Sequence, residues 1–160
     1  MPKIPIQFRL NGAETGVFAE PGANLLDVLR REAGDLTPKQ GCAQGGCGAC
    51  TVLIDGESRL ACLTLAETAQ GTEVQTTAGL AGGPDLHPLQ KAFIEGFAAQ
   101  CGFCSPGMLM AAKALLNQNP SPTREEVAEA ISGNICRCTG YEPIINAILT
   151  AAAEMRGRVA

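Results

Sequence analysis

With 160 residues, 46% of them hydrophobic, the chain has enough apolar material for one domain or two small ones, and wholesale disorder is excluded. Charged residues make up 18%, below the roughly 25% usual in soluble chains, and the net charge of -4 argues against nucleic acid or an anionic membrane as the main partner. No uncharged apolar run approaches the roughly 20 residues that a bilayer span requires.

The first half reads as strands around one short helix. Ile4, Ile6, Phe8 and Leu10 alternate with other residues and run into Asn11-Gly12, a strong hairpin signal, with Val17 in the return strand. Asn24 is placed to cap a helix whose apolar residues are Leu25, Leu26, Val28 and Leu29. The runs 51–54 and 57–60 flank Asp55-Gly56 and predict a second hairpin, and Glu73 to Thr77 reads as a last strand. The expectation is a mixed sheet folded against one helix.

Ala78 to Pro88 is rich in small residues and holds two prolines, so it reads as a linker, with a boundary near Gly79. Beyond it the pattern turns helical. Leu89, Phe93 and Phe97, with Ile94 beside them, predict one apolar helix face. Ser105-Pro106 reads as an N-cap and a first-turn proline, opening a helix through Leu116. Thr123 and Glu126 fit a capping box ahead of Val127 and Ile131, and Gly133 is a natural stop. Pro143 opens a last helix with the stripe Ile144, Ile145, Ile148, Leu149 and Ala152. Four helices predict a small bundle. Lys113 is the sole charge on the helix after Pro106, and the stretch 79–119 holds four charged residues among its 41 positions. A segment of about 80 residues has too small a core to bury that helix alone, which predicts that it docks against a partner chain.

Cysteine is the informative residue type. The N-terminus, Met1-Pro-Lys-Ile-Pro-Ile-Gln7, has neither a basic-then-apolar export pattern nor twin arginines, which predicts a cytoplasmic protein. In that reducing compartment 8 cysteines point to metal or redox chemistry, and with a single histidine the ligation is all-thiolate. Cys42, Cys47, Cys50 and Cys62 read C-x4-C-x2-C-x11-C, the spacing of a plant-type [2Fe–2S] site. Gly45, Gly46 and Gly48 let the backbone wrap closely and adopt positive φ. The bland alternative, a structural zinc, usually takes two short-spaced pairs, whereas here three cysteines share one loop. Cys101, Cys104, Cys136 and Cys138 read C-x2-C-x31-C-x-C, which by itself suits zinc, a redox dithiol or iron–sulfur. Both pairs precede predicted helices, whose N-termini favour thiolates and bridging sulfides.

Three words around these cysteines, Gly41–Cys50 with Cys62, Gln100–Met108 and Gly133–Tyr141, resemble the small iron–sulfur subunit of xanthine oxidase-family molybdenum hydroxylases. The resemblance covers nearly the whole chain and all eight cysteines. It implies an α+β fold: a plant-type ferredoxin (β-grasp) domain over 1–78, then a four-helix-bundle domain over 79–160, each holding one [2Fe–2S] cluster. It further implies a large partner subunit carrying molybdopterin, next to the second cysteine set, with Gln100 and Cys138 as the contacts closest to the pterin. The word Cys104-Ser-Pro-Gly107 looks like complexes with a medium, FAD-binding subunit and implies a dimer of heterotrimers, with no nucleic acid and no membrane span. Electrons would pass from the molybdenum site through the second set, then the first, to FAD or another acceptor, with no catalytic residue on this chain. A free ferredoxin-like carrier is the alternative, but carriers rely on plentiful, one-sided charge. A redox sensor would bring a basic helix, and none is seen.

Other residues invite plain readings. His87 reads as a solvated linker residue, Met108 and Met110 as packing, and Glu125, Glu126 and Glu129 as a solvated face at a favourable helix end. The single tyrosine, Tyr141, is expected to pack beside the cysteine loop. Arg137, between two cysteines, suits either stabilisation of cluster charge or a surface ion pair.

Overall fold

The structure, a computed structural model, describes residues 2–157. Five strands, β1 (Ile4–Leu10), β2 (Ala13–Ala19), β3 (Thr51–Ile54), β4 (Glu57–Leu60) and β5 (Glu73–Gln75), form one sheet in the order β2-β1-β5-β3-β4. Only β1 and β5 run parallel; the other neighbours are antiparallel. Both expected hairpins form through left-handed residue pairs, Asn11 and Gly12 at φ 53° and 83°, and Asp55 and Gly56 at φ 50° and 84°. The last strand is shorter than expected and passes into a turn of 3-10 helix over Thr77–Gly79.

Asn24 caps α1 (Leu25–Asp27) by accepting the Asp27 amide at 2.8 Å. The expected longer helix does not continue as α; it widens into a π-helical segment over Val28–Glu32. Four helices follow, α2 (Pro88–Glu95), α3 (Ser105–Gln118), α4 (Arg124–Ala130) and α5 (Glu142–Gly157). Thr123 and Glu126 close the expected capping box on α4. Among the described residues, no helix is long and apolar enough to cross a membrane.

Three local expectations are corrected. Phe97 does not extend the face of Leu89 and Phe93: α2 stops at Glu95, and Phe97 lies beyond it at φ 51°, with Ile94 also exposed. Ser105 is not the N-cap of α3. Cys104 takes that position, and the Ser105 hydroxyl is buried with no hydrogen-bond partner among the described residues. His87 is no free linker residue, since its Nδ1 accepts the Leu89 amide at 3.2 Å and caps α2 with Gln90.

The alternation of β3 joins the two halves. Val52 faces the core built from Ile6, Phe8, Leu25, Leu26, Leu29 and Val74. Leu53, one residue on, points to the opposite side and is buried with Leu89, Phe93, Met108, Met110, Ile131, Ile144 and Ile148. α3 therefore packs between its sister helices and the outer face of β3. Its Met108 and Met110 are fully buried within this chain. The expectation that this helix needs a partner to cover it is overturned, because the sheet covers it.

Candidate functional site

The first cysteine set lies where a glycine-rich loop enters β3. Cys50 is the residue before β3, its carbonyl accepting the Ala61 amide at 3.3 Å, so the sheet fixes one end of the loop and Cys62 beside it. The loop then needs close approaches. A Cβ at Gly41 would stand 2.7 Å from Cys47 Sγ, and one at Gly45 would stand 2.5 Å from Leu63 Cδ1. Ala43, Gly45 and Gly48 take positive φ, which turns loop amides inward. The effect shows at Cys42. The Gln44 amide, followed by the Cys47 thiol, brings its pKa down to about 7. Cys50 sits against Cys62, and burial pushes it up to about 11.

The second set joins the turn before α3 to the turn before α5. Cys138 donates to Cys101 across 3.6 Å. Cys104 faces Cys136, and burial pushes Cys104 up to about 12. Burial also disfavours the Cys136 thiolate, but hydrogen bonds from the Thr139 side chain and amide outweigh it and lower the pKa; the Thr139 Oγ1–Cys136 Sγ distance is 3.2 Å. Tyr141 Oη accepts the Cys136 amide at 3.0 Å, so this tyrosine packs beside the loop and also holds it. Cys101 and Cys138 reach the surface, as does Gln100, whereas Cys136 is buried.

All eight thiols thus come together as two foursomes, each made of two close pairs: Cys42 with Cys47, Cys50 with Cys62, Cys101 with Cys138, Cys104 with Cys136. Two thiolates on one tetrahedral metal lie about 3.8 Å apart for metal–sulfur bonds of roughly 2.3 Å, close to the 3.6 Å of Cys101 and Cys138. Two pairs per site suit a dinuclear cluster, whose two metals each take one pair, better than one ion held by four equivalent ligands. Among the described residues, no three His, Cys, Asp or Glu side chains gather around a single-ion position. Arg137 is exposed and makes no ion pair among the described residues, so no surface pairing accounts for it.

The two foursomes touch through backbone, and cysteine spacing gave no sign of it. The Ile135 amide donates to the Cys47 carbonyl at 2.9 Å, and Asn134 Nδ2 donates to the Gly48 carbonyl at 2.9 Å. Asn134, Thr51 and Gly107 surround this junction, and each draws its meaning from a partner far away in the chain.

Known proteins resemble the chain along nearly its whole length. Residues 17–95 match the 2Fe-2S iron-sulfur cluster binding domain family, and residues 76–149 match the [2Fe-2S] binding domain family. The nicotinate dehydrogenase small FeS subunit of Eubacterium barkeri is 47% identical over 92% of this chain and 94% of its own. The xanthine dehydrogenase iron-sulfur-binding subunit of Escherichia coli O157:H7 is 45% identical over 91% of this chain and 92% of its own. A chain of quinoline 2-oxidoreductase from Pseudomonas putida 86 superposes with a TM-score of 0.94 at 46% identity, covering 99% of this chain and 98% of that one.

Proposed function

We propose, for a chain that belongs to the small iron–sulfur subunits of xanthine dehydrogenase-family molybdenum hydroxylases, that Cys42, Cys47, Cys50 and Cys62 hold one [2Fe–2S] cluster and Cys101, Cys104, Cys136 and Cys138 a second. Its function is electron transfer within a multi-subunit oxidoreductase whose substrate chemistry lies on other chains. When bound, each cluster supplies a one-electron carrier. The protein supplies thiolates, amides that stabilise them, and fixed placement. The residues suit such a group: all-thiolate donors in pairs, glycines that permit close wrapping, and a buried Ser105 hydroxyl next to Cys104 with no hydrogen-bond partner among the described residues.

Exposure supports a direction. Cys101 and Cys138 open to the surface, with exposed Phe97, Gln100 and Phe103 near Cys101 in the chain, and we assign this side to a large molybdopterin-binding subunit, with Gln100 and Cys138 nearest the pterin. The first set's loop lies against exposed Leu63, the side we assign to a medium FAD-binding subunit or another acceptor. A plant-type ferredoxin domain over 1–78, a four-helix bundle over 79–160, assembly as a dimer of heterotrimers and a cytoplasmic site belong to the same proposal. The sheet ending at Gln75 and the first of four helices beginning at Pro88 support the division. A free-standing carrier is not favoured, because the relatives are subunits of larger enzymes.

The observation that carries the proposal is the convergence of eight thiols into two paired foursomes. The test is metal analysis of the purified complex: about four irons and four sulfides per small subunit, with two distinguishable paramagnetic centres on reduction. One zinc and about two irons would remove the second cluster.

A further inference from the structure

A single buried amide side chain holds the two cysteine loops together. Asn134 is 5% exposed, and its Nδ2 donates to the Gly48 carbonyl at 2.9 Å and to Thr51 Oγ1 at 3.3 Å. Thr51 Oγ1 in turn donates to that same carbonyl at 2.7 Å. Both hydrogens of the amide are thereby used. The backbones leave no spare room. A Cβ on Gly48 would lie 2.4 Å from the Gly133 carbonyl and 2.6 Å from Asn134 Nδ2, and a Cβ on Gly107 would lie 2.2 Å from the Gly48 carbonyl. Three chain segments, one before β3, one in α3 and one before α5, thus meet at Gly48.

Gly48 follows Cys47, and Asn134 precedes Ile135 and Cys136. Between these pairs runs the hydrogen bond from the Ile135 amide to the Cys47 carbonyl, 2.9 Å long. It links a cysteine of each set through covalent backbone and a single hydrogen bond. Tyr141 Oη holds the next amide, that of Cys136, so the segment is fixed on both sides of Ile135.

We infer that Asn134 is a positioning residue for electron transfer between the two cysteine sets: by clamping Gly48 it fixes the Ile135–Cys47 hydrogen bond that couples them. The inference rests on the two-cluster reading above. One electron leaves the site of Cys136, which is oxidised, and reduces the site of Cys47; no covalent bond forms or breaks and no proton moves. An aliphatic side chain in place of Asn134 would fill the space without holding the Gly48 carbonyl. A carboxylate there would face that carbonyl with like partial charge.

The test uses Asn134→Leu in the full-length protein within its complex, with three readouts: iron content, the midpoint potential of each centre, and the magnetic interaction and electron-exchange rate between the two reduced centres. Both centres should be present at unshifted potentials, with a weaker magnetic splitting and exchange slower by roughly tenfold or more, as ångström-scale misplacement of reacting partners produces. Should Asn134→Leu fail to accumulate, Thr51→Val removes one partner of the amide at nearly constant shape and should show the same change, smaller in size. Unchanged splitting and exchange in a fully loaded variant would overturn the role of Asn134 and leave the two-cluster reading standing. A wild-type protein without two paramagnetic centres would overturn both.

Discussion

The Ile135 amide and the Cys47 carbonyl are 2.9 Å apart, and this hydrogen bond ties the two halves of the chain at their cysteine loops. Leu53 does the same in the apolar interior, leaving β3 on the side of the helices to be buried with Met108 and Ile144. A chain cut between residues 78 and 79 would expose both sides of that contact. Fully burying a leucine contributes about 1.5–3 kcal/mol, so neither piece should match the intact chain alone. Co-expressed, 1–78 and 79–160 should copurify and bind iron together. A stable, monomeric, iron-loaded piece made by itself would contradict this.

Gly48→Ala and Gly107→Ala should be the costliest small substitutions in the chain. Each would force a Cβ to within 2.4 Å or less of a backbone oxygen, and Gly48 adds a φ of 69°. Overpacking and left-handed strain together cost about 3 kcal/mol or more. Gly46→Ala is the control, with nothing within 4 Å of its Cβ and no positive φ. Urea midpoints of the three variants decide the matter: equal losses at Gly46 and Gly48 would refute it.

Much of the architecture was legible because its signals are local. Asn11-Gly12 and Asp55-Gly56 fold as left-handed turns whatever surrounds them, and Asn24 and Thr123 cap the residues that follow within one turn. The grouping of the cysteines was also visible in their spacing. What the sequence could not show depends on distant partners. The apolar pattern of α3 says that the helix is buried, but not that β3 buries it. Asn134 reads as an ordinary loop residue until Gly48 stands against it. Phe97 keeps the helical spacing of Leu89 and Phe93, yet α2 ends before reaching it.

The two ligand sets should be separable. Cys47→Ser should remove the centre beside β3 and spare the other, whereas Cys104→Ser should do the reverse, since Cys104 meets Cys136 rather than any cysteine of the first loop. Iron content should fall by about half in each variant. Spectra in which either substitution erases both centres while the chain stays folded would show that the foursomes are mutually dependent.

Glu67 gives a pH signature away from the cysteines. The Gly22 amide, followed by the amide of Glu67 itself, holds its carboxyl below the usual carboxylate range, with Gly22 N donating to Oε1 at 2.7 Å. A folded-state pKa below the unfolded one stabilises the fold above the unfolded value, near about 4.3 for glutamate, and that contribution is lost as the pH falls through the folded value. Glu67→Gln should therefore melt earlier than the parent at neutral pH, and the gap should close in acid. Thermal melts across a pH series measure it, and a gap that grows in acid would reverse the assignment.

Phe97 gives the sharpest test of the partner surface. It is 82% exposed and adopts φ 51°, a conformation that costs an L-residue roughly 1–2 kcal/mol and that glycine takes freely. The left-handed turn closes the end of α2, where the Phe97 amide donates to the Ile94 carbonyl at 3.2 Å and the Ala98 amide to the Phe93 carbonyl at 2.9 Å, but glycine would serve that turn as well, and the ring stays in solvent. Ile94, whose carbonyl accepts the Phe97 amide, is also exposed, and Gln100 and Cys101 follow in the chain. Buried aromatic anchors of an interface are each worth about 2 kcal/mol or more. Phe97→Gly should thus act in opposite directions. The isolated small subunit should keep its iron and hold or gain stability, by up to about 1 kcal/mol once the greater freedom of unfolded glycine is subtracted. Its affinity for the large subunit should fall roughly thirtyfold, the equivalent of about 2 kcal/mol. Melting of the subunit alone, set beside titration of subunit association, separates the two effects. Unchanged association would move the docking face away from the Cys101 side of the molecule.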